Sequence, residues 1–184
     1  MSEILKVLNK KNIELKSEVV ELNLVSDARK LAIVQVKQDE HSDKASTTST
    51  SYQDIPLSVT ITPKFASSKI LVQLSTYLGV DDVNSYGALV QILRGSTQIC
   101  MGDAEGSRPR VAGAGYSYGH NQDIFPVTAN YLDSPNTTSA TTYKVQFRSG
   151  WSGNNVHVNA PGYNGDNAGS ARLTSTLTIM EVAQ

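Results

Sequence analysis

The chain of 184 residues contains a single cysteine, Cys100, so no disulfide can close within it and the fold has to stand on packing alone. Aromatic residues make up only 7%, with one tryptophan, Trp151, which leaves little material for a sugar cleft lined by several stacked rings. No apolar run approaches the ~20 residues of a membrane helix, and no charged-then-apolar signal segment opens the chain. The expectation is a protein made in soluble form in the cytoplasm, with no signal peptide and no membrane insertion. Neither sign of charge dominates, with Lys+Arg at 16 against Asp+Glu at 17, so there is no general attraction to nucleic acid. His41, His120 and His157 lie far apart and form no His-x-x-x-His or His-x-His pair that would preorganise a metal. A glycine-rich phosphate loop, a Gly-x-Ser-x-Gly elbow and a dinucleotide fingerprint are all missing.

What is present is an uneven distribution of charge. Of the Lys, Arg, Asp and Glu residues, 16 fall in the first 44 positions, and the rest of the chain reads as short β-strands separated by Ser, Thr, Gly and Asn turns. This division predicts an N-terminal attachment arm or stalk over residues 1–30 and a β-sandwich display domain over residues 31–184. The arm lacks proline and glycine and is rich in Leu, Lys and Glu, which favours helix, with Ser2 as a possible N-cap. A heptad through Met1, Leu8, Leu15, Leu22 and Ile4, Lys11, Glu18, Val25 is apolar at six of eight sites. The alternation in Ile13-Glu14-Leu15 and in Val20-Glu21-Leu22-Asn23-Leu24 fits an extended strand instead, so the arm is expected to be helical or extended. Ile4, Leu5, Leu8, Leu15 and Leu22 are its candidate anchor residues. An amphipathic element packed on its own domain is the plainer alternative.

Beyond the arm, residues 31–36 form a short β-branched run, and the polar residues 39–51 predict a loop. Residues 55–63 alternate cleanly, with Leu57, Val59 and Ile61 on one face, and Pro63 ends the run. Residues 69–80 place Ile70, Val72, Leu74 and Thr76 on one side. Residues 88–93 and 98–101 flank Arg94-Gly95-Ser96-Thr97 as a hairpin, and further strands are expected over 125–132, 142–148, 155–159 and 172–182. About nine strands without intervening helices predict an all-β, antiparallel, jelly-roll-like β-sandwich.

No catalytic residue, cofactor site or metal site is predicted. Cys100 ends an apolar strand and behaves there as a small hydrophobe. Asp103 and Glu105, in a glycine-rich loop, and Asp166 read as solvated turn acids, lacking the further oxygen ligands of a calcium motif. Two loops, residues 112–122 and 159–167, mix Tyr with Gly, Asn and Ser, a composition that serves recognition because Tyr adds contact area at low entropic cost. Tyr116, Tyr118, His120 and Tyr163 are the candidate receptor contacts, although Gly and Asn are also ordinary turn residues.

Several stretches carry a family resemblance: Ser46-Thr47-Thr48-Ser49-Thr50-Ser51-Tyr52; Leu57-Ser58-Val59-Thr60-Ile61-Thr62-Pro63 with Ser67-Ser68-Lys69-Ile70-Leu71-Val72; Leu93-Arg94-Gly95-Ser96-Thr97; Leu132-Asp133-Ser134-Pro135 with Thr141-Thr142-Tyr143-Lys144-Val145-Gln146; and the closing Thr178-Ile179-Met180-Glu181-Val182. Over residues 31–184 the chain resembles virion structural proteins of tailed phages, especially aquatic and cyanobacterial ones, of the fibre or appendage type. The opening Ser2-Glu3-Ile4-Leu5-Lys6-Val7 is similar to the start of such proteins, whereas the continuation through Lys30 departs from their short, glycine-containing connection. The resemblance implies a tumour-necrosis-factor-like jelly roll assembled as a homotrimer, bound through its arm to capsid or tail proteins. It makes the expected function that of a virion-surface fibre or capsid decoration protein, with host attachment to a surface glycan or protein competing with shell stabilisation. A glycan-binding adhesion module is the alternative, and a glycan depolymerase, needing two convergent carboxylates among acids such as Asp81, Asp82, Asp103, Glu105, Asp123 and Asp166, is a further one.

Overall fold

A computed structural model describes residues 3–29, 32–81, 87–117, 121–163 and 165–184, with only the backbone for 21–29. One helix, α1 (Glu3–Arg29), precedes eleven described strands. These are β1 (Ile33–His41), β2 (Ala45–Thr47), β3 (Gln53–Ile61), β4 (Lys69–Val80), β5 (Ala88–Arg94), β6 (Thr97–Ile99), β7 (Gly113–Gly115), β8 (Ile124–Asp133), β9 (Thr141–Ser149), β10 (Val156–Val158) and β11 (Ser175–Val182). The arm is therefore helical, and every predicted strand is present.

The strands form two antiparallel sheets. In the first, β4 pairs with β8 along one edge, and along the other with β11 over its first half and β10 over its last residues. β1 and β2 continue that sheet outward, on β11 and β10 respectively. The second runs β3, β9, β5, with β6 and β7 sharing the far edge of β5. Taking β10–β11 and β6–β7 as interrupted single strands, the principal orders are β1-β11-β4-β8 and β3-β9-β5-β6, the two-Greek-key arrangement of a jelly roll. The interior is filled by the alternate residues that the period of two selects: Leu57, Val59 and Ile61 from β3, Ile70, Val72, Leu74 and Leu78 from β4, Val145 and Phe147 from β9, and Leu177 and Ile179 from β11.

Polar contacts close the sandwich at its sides. Along β1 the side chains of Gln35 and Lys37 donate to the carbonyl oxygens of Thr62 (2.9 Å) and Thr60 (2.8 Å), and Asp39 accepts from the amide of Ser58 (2.8 Å). These bonds satisfy the edge of β3, which already carries Pro56 within an irregularity of its pairing to β9. They also explain why β1 runs on to His41 where the sequence predicts a loop from Asp39: its polar side chains serve the neighbouring sheet and have no need of the core. Between the layers, Arg94 donates to both oxygens of the buried Asp133 (2.8 and 2.9 Å), which also accepts from the hydroxyl of Tyr143 (2.7 Å). Burial and that carboxylate together push the Tyr143 hydroxyl far above its ordinary value.

Asn159 stands at the break between β10 and β11. It is fully buried with a positive φ of 63°, and its amide nitrogen donates to the carbonyl oxygens of His41 (2.6 Å) and Asp43 (3.2 Å). Its side-chain oxygen accepts from Ser175 (2.7 Å), whose hydroxyl also pairs with that of Thr76 (2.8 Å). Asn159→Ala leaves these groups unpaired in the interior and places a residue with no compensating side-chain bond in the left-handed region. The expected loss of stability is about 3 kcal/mol, read as a lowered urea midpoint with an unchanged slope; a loss below ~1 kcal/mol would refute this assignment.

Candidate functional site

The strand directions give the sandwich two different ends. At one lie the start of β1, the end of β11, the start of β4 and the end of β8, tied by the register pairs Ile33 with Val182, Val182 with Lys69 and Ile70 with Asp133. The arm enters here. At the other end lie the end of β4, the starts of β5, β8 and β10 and the ends of β7 and β9. With β4 twelve residues long, the two ends are separated by about 36 Å.

The far end gathers loops that are distant in sequence. The amide of Tyr163 donates to Asn121 (2.6 Å), that of Gly150 to Gly87 (2.7 Å), and that of Asp81 to Asn155 (3.0 Å). Glycine makes this crowding possible: a Cβ on Gly162 would collide with the backbone of Val80 and Asp81, and one on Gly87 with the ring of Tyr116. Three aromatic side chains project from these loops, Tyr116 at 58% exposure, Trp151 at 57% and Tyr163 at 49%. Beside Tyr163 is a cleft of about 330 Å³ lined by Asp81, Asn121, Gly162, Tyr163 and Gly165.

Asp81 is held in that cleft by partners behind it. His157 Nε2 lies 2.5 Å from one carboxylate oxygen, and the Asn155 side-chain amide donates to the other at 3.0 Å. His157 is itself 1% exposed, with Nδ1 buried and without a hydrogen-bond partner, so it orients Asp81 and cannot reach a ligand. Burial depresses the His157 pKa, outweighing the opposing hydrogen bond to the Asp81 carboxylate. With Asp81 ionised, the neutral imidazole donates from Nε2. The combination of exposed rings, one half-exposed carboxylate and amide groups is suited to a polar, uncharged ligand, with rings against apolar faces and Asp81 accepting from hydroxyls.

Of the candidate receptor contacts, Tyr116 and Tyr163 are brought to one end, while Tyr118 and His120 lie outside the described residues. Trp151 joins them unpredicted. Its loop, Ser149-Gly150-Trp151-Ser152-Gly153-Asn154-Asn155, has the same Gly, Asn and aromatic composition as the other two, and that was the available signal. The candidate anchor residues Ile4, Leu5, Leu8 and Leu15 are all more than half exposed on α1; Leu22 belongs to the helix, with its side chain outside the described set. The acids Asp103 and Glu105 lie apart from the cleft in an exposed loop, where Glu105 pairs with Arg108 at 2.8 Å. Among the described residues no group of three His, Cys, Asp or Glu side chains converges, and no described helix is long and apolar enough to cross a membrane. Cys100, with its thiol pushed up by partial burial, lies elsewhere, at the end of β6.

No protein-family model matches the sequence, and no curated protein does. Among solved structures, that of the infectious bursal disease virus Gx strain is similar over 82% of this chain, at 13% identity and a TM-score of 0.41. The chain spans 37% of the matched chain's length.

The His157 pair sets a pH dependence. The unfolded chain takes up the proton near the ordinary value of about 6.5, while the folded one resists it, so stability present above about pH 6.5 is lost as the pH falls below it. A lower window comes from Glu181. Burial raises its pKa, but hydrogen bonds from Gln35 and the amides of Lys64 and Phe65 outweigh this and hold the carboxyl low, adding a loss below about pH 4.5. Thermal melts from pH 8 to 4 are expected to show both declines, and His157→Gln to remove only the upper one. An unchanged upper decline in that variant would contradict the assignment.

Proposed function

We propose that this chain is a non-enzymatic virion structural protein of a tailed phage, a homotrimeric fibre or head-decoration protein. In this reading α1 binds capsid or tail proteins, and the sandwich is held outward with Tyr116, Trp151 and Tyr163 facing a host-surface glycan or protein. The observation that carries it is the opposition of the two ends: the arm with its exposed apolar side chains enters one, and the aromatic loops occupy the other. The resemblance of residues 31–184 to phage fibre and appendage proteins supports the same reading. So does the covered edge of β3, because a protein crowded on a shell gains from having few free strand edges.

Deletion of residues 2–30 tests the anchor. The truncated sandwich is expected to keep a cooperative melting transition and to disappear from purified particles. Undiminished incorporation of the truncated chain would overturn the anchor role.

The cleft beside Tyr163 favours a second reading, a glycan-binding adhesion module outside any virus. On a glycan array the full chain should then bind a defined set of sugars, and Tyr163→Ala should lose them while melting as the parent does. A featureless array removes this reading.

A further inference from the structure

Along α1, Leu5, Leu8, Asn12, Leu15, Val19 and Leu22 follow one another at alternating steps of three and four residues. This spacing places all six on one stripe of the helix, with Leu8, Leu15 and Leu22 at one heptad position and Leu5, Asn12 and Val19 at the other. Leu5, Leu8, Leu15 and Val19 are each more than half exposed. The stripe is more apolar than the seam through Lys11 and Glu18, and it leaves both of those charges at its margin. We propose that copies of this chain associate through this stripe as a parallel, in-register coiled coil, with Asn12 hydrogen-bonded to the same residue of a second copy.

The occupant is a second copy because the stripe is its own complement. In a parallel, in-register pair each layer meets the identical layer, and the single polar one then has an amide facing an amide. Reversing one helix sets Asn12 against Leu15 and leaves the amide unpaired twice in a dry interface. The charges favour that reversal, since it brings Lys11 towards Glu18 where the parallel form brings Lys11 towards Lys16. Exposed charge pairs of this kind weigh several times less than a buried amide without a partner, so Asn12 decides the direction.

The sandwich supplies a second, independent pointer to the same direction. On the outer face of the first sheet, Val36, Met180, Leu71 and Leu132 are successive register partners across four strands and form an apolar row, next to the polar row Gln38, Thr178, Gln73 and Asn130. Val36 and Leu132 are 56% and 52% exposed, and the row lies at the end where the arm enters, as does the exposed Ile33. Parallel association gathers these rows at one end of the assembly, whereas the reverse arrangement separates them. With the stripe turned inward, Ile13 and Val20, seven residues apart on another face and 69% and 56% exposed, remain for a different partner.

This inference deepens the oligomeric part of the proposed function and needs no particle. A chain that associates in solution but enters no virion keeps the inference and loses the virion role. The test uses the full chain carrying Cys100→Ser, with Leu15→Cys added. Mild oxidation is expected to convert most of it into a covalent dimer, and sedimentation of the unlinked parent to give a multiple of the chain mass. Linking between separate Leu8→Cys and Val19→Cys chains, with none in Leu15→Cys, would overturn the parallel direction, and a monomer mass at the highest concentration reached would overturn association. The double variant Leu8→Glu, Leu15→Glu should sediment as one chain while its near-ultraviolet dichroism, which reports the buried Tyr143, stays as in the parent. Association that survives it unchanged would refute the stripe.

Discussion

A fully buried side-chain amide must place its carbonyl oxygen and both N–H groups inside the protein, and Asn159 does so by joining segments that would otherwise part. The chain leaves the first sheet after β10, makes a long excursion and returns as β11 on the same edge of β4. Asn159 holds the point of departure to the point of return through Ser175, and holds both to the turn between β1 and β2. Four strands thus keep a common register across an interruption that would let them slip. The excursion can then carry Tyr163 to the far end without disturbing the core, and the same edge of β4 stays continuous down to the arm.

The placement of the arm and of the aromatic loops follows from direction along the strands more than from any single cavity. All the pairing is antiparallel, so one set of termini and turns collects at the arm and the other at the aromatic loops. The interior carries its polar groups at fixed stations between them: Arg94, Asp133 and Tyr143 near the arm, Asn159 with Ser175 further along, and His157 with Asp81 at the loops. The first of these joins the two sheets, while the other two tie neighbouring strands of the first sheet to one another.

The strands were legible wherever one face is buried and the other wet, because burial then imposes a period of two. Residues 55–61 and 69–80 show it plainly, and the hairpin about Gly95 declares its turn, with φ of 58° at that glycine. β2 and β7, at three residues each, are too short for any period to emerge. The arm reads as helix or, less readily, as strand because its apolar residues lie on more than one face of the helix, so neither period stands out. Glu181 alternates with Leu177 and Ile179 and therefore points inward, which its residue type argues against; the Gln35 side chain and the amides of Lys64 and Phe65, all more than a hundred residues away, make that position tenable. His157 and Asp81 are likewise 76 residues apart, and their meeting depends on the register of β10 with β4.

The way the arm joins the sandwich governs how the protein bears a pull. A tug on α1 reaches β1 at Ile33 and runs along the strand, while resistance applied at the aromatic loops acts from the opposite end. The ladder between β1 and β11 is then sheared along its length, with its rungs strained together, and cannot be unzipped one rung at a time. A load applied between the two ends is therefore shared by the whole ladder at once.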